Sequence, residues 1–322
     1  MTGQKPGFFS YANTDRCQSR CITCAGWQTP PNVKENELTT DDWKRILTQM
    51  HEWMGDYEFV FSGGEPFLRD DLLELTTFAK NLGDRVNVVT NALALQNKCE
   101  EVIKSDFSTI YISLNAVKNP QIHIASRGRD DSFKITMNVI QTLNYLNKHK
   151  NPDKPKNIII SSIVMPSNFD EVEPLVEFAE KEGLGGVSFQ LLDNGDAFAR
   201  PEDMTEKEGI ELNEKAIKTL DKIMELKDQG RLVLNGYPQL KAYKILLTNP
   251  NEVAASECKV GYNNFAIDPY GNVRICFCMG PIGSLKENTP QEIWEGAKAQ
   301  EVREKINACT KKCRLLNCNF KE

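Results

Sequence analysis

Ten cysteines fall into two groups with more than two hundred residues between them, and any fold for this chain has to give each group a purpose. Cys17, Cys21 and Cys24 lie near the N-terminus, Cys99 stands alone, and Cys258, Cys276, Cys278, Cys309, Cys313 and Cys318 occupy the C-terminal stretch. A chain of 322 residues buries a core large enough to fold without disulfides. Thiols gathered in two places therefore read as two metal sites. The first ten residues lack the apolar core of a signal peptide, and no run approaches the ~18 consecutive apolar residues of a membrane helix. With 39 Lys+Arg against 45 Asp+Glu the chain has no broad cationic field, which argues against a nucleic-acid partner. A cytoplasmic protein with no membrane and no nucleic-acid partner is expected.

Between the cysteine groups, β-branched and aromatic runs alternate with amphipathic stretches. Strands are expected at Phe8 to Asn13, Tyr57 to Ser62, Arg85 to Thr90, Thr109 to Leu114, Asn157 to Val164 and Gly186 to Leu192. Helices are expected at Thr40 to Met54 (weakly capped at Thr40), Asp70 to Leu82, Asp131 to Asn147, Phe169 to Glu182 and Thr205 to Leu226. Cys99 falls in a further helical stretch, where a structural role is the default. Alternation of this kind specifies a parallel α/β sheet with right-handed crossovers, closed partly or wholly into a barrel. The organisation expected is a barrel over 1–228, a connector over 229–257 and a cysteine-rich extension over 258–322.

Cys17-Gln-Ser-Arg-Cys21-Ile-Thr-Cys24 follows the first strand, on the edge where barrel active sites are built. Spaced C-x3-C-x2-C, three thiolates on one loop can each hold one iron of a cubane, leaving the fourth iron open. A zinc site would want a paired C-x2-C partner, and none is present there. The loop resembles the hallmark of the radical SAM enzymes. Ser62-Gly-Gly-Glu-Pro66 resembles that family's GGE motif, and Ser113-Leu-Asn115 its Ser-Leu-Asp step. The resemblance implies a partial (β/α)6 TIM-like barrel in which the open iron chelates S-adenosylmethionine. It implies that the main chain at Gly63, Gly64 and Glu65 meets the methionine amino group, with the two glycines admitting the ligand. It further implies that Ser113 and Asn115 hold the ribose, that Arg127 pairs with the carboxylate, and that Thr23, through its main chain, and Leu191 lie against adenine.

In the second group, Asp268-Pro-Tyr-Gly271 reads as the turn of a hairpin with Cys258 and Cys276 at or just beyond its outer ends. A helix is expected from Pro290 to Ala308, followed by Cys309, Cys313 and Cys318. The pattern resembles the SPASM and twitch extensions of radical SAM enzymes. That implies one auxiliary 4Fe–4S cluster on Cys258, Cys276 and ligands drawn from Cys309, Cys313 and Cys318. Cys278 is then a spare ligand, a small buried hydrophobe, or a catalytic thiol that returns a hydrogen atom to a substrate radical.

The chemistry implied is cleavage of S-adenosylmethionine to a 5′-deoxyadenosyl radical that takes hydrogen from carbon, with the electron supplied by a donor such as flavodoxin or ferredoxin. The short stretch ahead of Cys17 points to a small polar substrate, aminocyclitol or sugar-like, that is oxidised or epimerised. The alternative is crosslinking or epimerisation of a ribosomally made precursor peptide. A non-catalytic iron–sulfur or zinc scaffold is a third possibility, against which stand the GGE loop and the Ser-Leu-Asn step.

Overall fold

A computed structural model describes residues 4–24, 26–28, 36–192, 214–249 and 258–310. Six parallel strands form the barrel part of the sheet: β1 (Phe8–Thr14), β2 (Glu58–Gly63), β3 (Arg85–Thr90), β4 (Phe107–Ser113), β5 (Asn157–Val164) and β6 (Gly186–Leu191). Three short strands from the cysteine-rich extension complete it: β7 (Asn264–Ile267), β8 (Asn272–Arg274) and β9 (Gly283–Ser284). The order is β6-β5-β4-β3-β2-β1-β7-β8-β9, with β7 parallel to β1 and the last two strands antiparallel. The barrel is thus open, and the extension continues its sheet across β1.

Helices α1 (Thr40–Met54), α2 (Leu72–Leu82), α3 (Cys99–Lys104), α4 (Pro120–Arg127), α5 (Ser132–Lys150), α6 (Val172–Glu182), α7 (Glu214–Asp228) and α8 (Tyr237–Thr248) accompany the parallel strands. The one-turn α9 (Val260–Asn263) precedes β7, and α10 (Pro290–Glu295) and α11 (Ala297–Asn307) follow β9. The cap of α1 is one residue earlier than expected: Thr39 and Asp42 form a reciprocal capping box. The expected helix from Pro290 to Ala308 breaks at Gly296, where extended backbone caps the first piece and starts the second. The stretch read as a connector carries α8, whose buried Leu240, Tyr243 and Leu247 anchor it. Residues 205–213 of the expected Thr205–Leu226 helix lie outside the described residues.

Alternation along each strand sends one face to the helices and leaves the other half-buried. On the helix side, Tyr11, Phe59 and Phe61 close around Trp43 of α1, with ring centroids 4.7 to 6.5 Å apart. Trp43 is wholly buried, so truncation to Ala would cost about 3–5 kcal/mol. On the opposite face the register sets Ser113 beside Ser161 and Ser161 beside Ser188. Because the six strands run in one direction, the loops that follow them gather at one edge, where the first cysteine group lies.

Candidate active site

The cysteine loop leaves β1 and is held between two other chain segments. On one side Gly64 and Glu65 donate their N–H groups to the carbonyls of Thr14 and Arg16, both at 2.8 Å. On the other, Arg20 and Ile22 donate to the carbonyls of Arg127 (2.9 Å) and Ser126 (3.2 Å) at the end of α4. The two glycines of the GGE motif are required by this joint. A Cβ on Gly64 would sit 2.2 Å from the Arg16 carbonyl oxygen, and one on Gly63, at φ 116°, would sit 2.5 Å from that of Thr14. The expectation that they clear space for a ligand is corrected in this respect: the backbone they admit is the cysteine loop's own.

Glu65 is wholly buried and works inward. Its carboxylate accepts from Thr90 Oγ1 (2.7 Å) and from the main-chain N–H groups of Asn91 (2.8 Å) and Phe67 (3.3 Å), tying the loops after β2 and β3 together. Burial pushes its pKa up to about 7 against the pull of those hydrogen bonds.

Each thiol of the loop faces an N–H donor: Asn91 Nδ2 lies 3.6 Å from Cys17 Sγ, Arg127 Nη1 3.8 Å from Cys21 Sγ, and the Gly26 N–H 3.3 Å from Cys24 Sγ. Such donors favour thiolates, although burial pushes free Cys17 up to about 11, so a metal would have to take its proton. Among the described residues no three thiol, imidazole or carboxylate groups converge on one point as a single metal ion requires. A cubane does not ask this of them, since each thiolate takes a different iron. Arg127 is nearly buried and its Nε has no hydrogen-bond partner, an unmet demand that a carboxylate would answer. Three thiols with N–H donors beside a guanidinium whose Nε is unpartnered fit an iron–sulfur cluster and a ligand with a carboxylate.

The remaining expected contacts divide. Ser113 ends β4 on the half-buried face, and Thr23 is buried in the cysteine loop. Asn115 is engaged at both ends of its amide: Nδ2 donates to Ser126 Oγ (3.0 Å) and Oδ1 accepts from the Ile163 N–H (3.2 Å). It straps β4, β5 and α4 together in place of presenting an open acceptor to a ribose. Leu191 is also corrected: it pairs with Val164 on the helix-packed side, in the core, while Gln190 and Ile163 take the opposite face. Cys99 is buried in α3, its Sγ 3.3 Å from the Leu95 carbonyl, as a structural cysteine. Asn91 and α4 were missing from the sequence reading.

At the other group, Cys276 follows β8. Cys258 and Cys309 lie close enough to act on it electrostatically, and Cys278 hydrogen-bonds to it through main chain and side chain; burial is the larger influence and raises its pKa. Cys313 and Cys318 lie outside the described residues. No helix among the described residues is long and apolar enough to cross a membrane.

The model of the radical SAM superfamily matches residues 13–179 and that of an iron-sulfur cluster-binding domain, SPASM, matches 258–319. The chain belongs to the radical SAM superfamily and carries a SPASM domain, and with them come a radical SAM 4Fe–4S cluster, an auxiliary cluster and S-adenosylmethionine. It is 23% identical to the AdoMet-dependent heme synthase of Methanosarcina barkeri, over 97% of this chain and 91% of that protein. It is 29% identical to the PqqA peptide cyclase of Bradyrhizobium diazoefficiens, over 44% of this chain and only 40% of the cyclase. Its fold matches Streptococcus suis SuiB, solved bound to precursor peptide SuiA, with TM-score 0.71 and 16% identity over 93% of this chain and 67% of that one.

Proposed function

We propose that the chain is a radical SAM enzyme that modifies a peptide. What favours a peptide is the likeness to SuiB, a protein solved with its precursor peptide, together with the partial likeness to a peptide cyclase. The expectation of an aminocyclitol or sugar-like substrate rested on the short stretch ahead of Cys17 and finds no support in these relatives.

The roles we assign are those the family resemblance implies, with Cys278 added to the tail ligands. Cys17, Cys21 and Cys24 hold the cluster, which when bound supplies the electron that cleaves S-adenosylmethionine to a hydrogen-abstracting 5′-deoxyadenosyl radical. Arg127 would pair with the methionine carboxylate. Main chain at Gly63, Gly64 and Glu65 orients the amino group, Ser113 faces the ribose and the Thr23 main chain the adenine. Cys258, Cys276, Cys278 and Cys309, the four thiols of the extension among the described residues, would hold the auxiliary cluster. Cys278 is therefore a ligand in this reading and not a catalytic hydrogen donor.

The observation that carries the radical SAM part of the proposal is the cysteine loop fixed on both flanks, with an N–H donor at each thiol and Arg127 beside it. Its test is anaerobic reconstitution followed by dithionite, S-adenosylmethionine and short peptides encoded beside the gene. Release of 5′-deoxyadenosine with a mass change in one peptide is the expected result. Release with every peptide unchanged, but with turnover of a heme precursor, would establish a second reading carried by the near full-length likeness to the heme synthase. No 5′-deoxyadenosine under any condition would sink both.

A further inference from the structure

The end of α4 forms one wall of the cysteine loop, and Gly128 shows how closely. It caps the helix at φ 61°, and a Cβ there would stand 2.3 Å from the Arg20 carbonyl oxygen. What fixes α4 in turn is a buried polar cluster at the ends of β4 and β5. The Asn115 N–H donates to His123 Nδ1 (3.2 Å), Asn115 Nδ2 to Ser126 Oγ (3.0 Å), and the Ser126 hydroxyl to the His123 carbonyl (2.9 Å). Asn168 Nδ2 donates to the carbonyls of Asn115 (3.0 Å) and Ile163 (2.7 Å). Glu171, in the 3-10 turn at Pro166–Glu171, accepts the N–H groups of Val117, Lys118 and Asn119 at 2.8 to 2.9 Å. The only imidazole in this cluster is buried edge-on against Phe133, centroids 6.0 Å apart. Burial, with the Arg127 charge nearby, pushes it down to about 3, so Nδ1 keeps the lone pair that the Asn115 N–H needs.

We infer that His123 is a positioning residue for the S-adenosylmethionine site: through Asn115 and Ser126 it sets α4, and α4 sets both the cysteine loop and the aim of Arg127 at Cys21. The link to S-adenosylmethionine rests on the function proposed above; the link to the loop does not. An unmade buried hydrogen bond costs enough to change a local equilibrium about tenfold or more. Asparagine can place its Oδ1 where Nδ1 stands, whereas leucine offers no acceptor.

The experiment compares wild type, His123→Leu and His123→Asn by amide hydrogen exchange, before and after cluster loading, and by equilibrium binding of S-adenosylmethionine to the loaded protein. In His123→Leu, exchange at Arg20 and Ile22 should rise about tenfold while β7 and β8 keep wild-type rates, and S-adenosylmethionine should bind about tenfold more weakly. His123→Asn should bring both within about twofold of wild type. If the leucine variant does not fold, His123→Gln, whose acceptor sits one bond farther out, takes its place with the same expectations. Unchanged exchange at Arg20 and Ile22, a rise spread evenly over all strands, or no rescue by asparagine would overturn the inference. Failure of wild type to bind S-adenosylmethionine would instead overturn the cofactor reading, and the exchange data would still decide the role of His123 in holding the loop.

Discussion

The loop at Cys17 to Cys24 is held by main-chain hydrogen bonds on two flanks, to the GGE loop and to α4. Around Cys276 the β7–β8 ladder is main chain, but α11, which ends just before Cys309, is tied to the rest by a side chain. Arg303 of α11 donates to the carbonyls of Gly261 and Trp294, both at 2.9 Å, and lies 4.4 Å over the Trp294 ring. The difference fits the roles proposed for the two sites. A loop with three thiolates must orient a ligand on the fourth position, so its shape has to exist beforehand. Where the chain supplies every ligand, the cluster itself can draw the segments together, and binding energy becomes folding energy.

The largest test of this contrast is a pair of glycines. Gly64→Ala would drive a Cβ into the Arg16 carbonyl at 2.2 Å, whereas Gly280, after Cys278, has nothing within 4 Å of that position. Gly64→Ala should cost about 3 kcal/mol or more and abolish S-adenosylmethionine cleavage, and Gly280→Ala should leave melting temperature and cleavage within error. Equal effects would mean that the two loops are built alike.

Iron content sharpens the same comparison. Reconstituted wild type should hold about eight irons, and the triple change Cys17→Ala, Cys21→Ala, Cys24→Ala should retain about four. Colorimetric iron with the visible spectrum reads this directly; loss of all iron would show that the tail site depends on the first.

The cysteine loop and GGE segment were legible in sequence because the residues that bear the chemistry are neighbours in the chain, and five of the six barrel strands start and end within one residue of expectation. The fourth was two residues short at its start, because Phe107 and Ser108 add only a single apolar position to the run. What escaped is tertiary. No helix was expected around Pro120 or Pro238, yet each stands in the first turn of one, α4 and α8, where a missing N–H costs nothing. The side chains of His123, Asn168 and Glu171 act on backbone groups from 3 to 54 residues away, which no local pattern records. Leu191 was misplaced by one step of a period-two strand, enough to exchange the two faces. The glycines announced a close approach without saying to what.

A smaller effect is expected from Glu65. Its carboxyl is raised in the fold to about 7 from an ordinary 4.5, chiefly by burial. The folded chain therefore binds this proton more tightly than the unfolded one. The stability it contributes is complete below about pH 4.5 and is lost as pH rises through about 7. Melting of the cluster-free protein should show that loss, on the order of 3 kcal/mol, and Glu65→Gln should flatten it. A slope that survives the substitution would assign it to another group.

The smallest effect probes whether the two regions communicate. The hairpin turn between β7 and β8 is tightened by Asp268, which accepts the N–H groups of Tyr270 (3.0 Å) and Asn272 (2.9 Å), and its tip leans on the barrel edge. There Tyr270 donates its hydroxyl to Asp15 Oδ2 (2.9 Å), two residues before Cys17, while the Pro269 carbonyl accepts the Leu38 N–H at 2.7 Å. Tyr270→Phe removes the first contact and spares the second, so the hairpin stays docked and the loss should be about 1 kcal/mol. A double-mutant cycle with Asp15→Asn should return a coupling of similar size. If the tyrosine carries strain between the sites, loading the tail cluster will slow amide exchange from Asp15 to Cys24 in the wild type and not in Tyr270→Phe. Equal slowing in both would show that the main-chain contact at Leu38 suffices, and that the hydroxyl contributes stability but no communication.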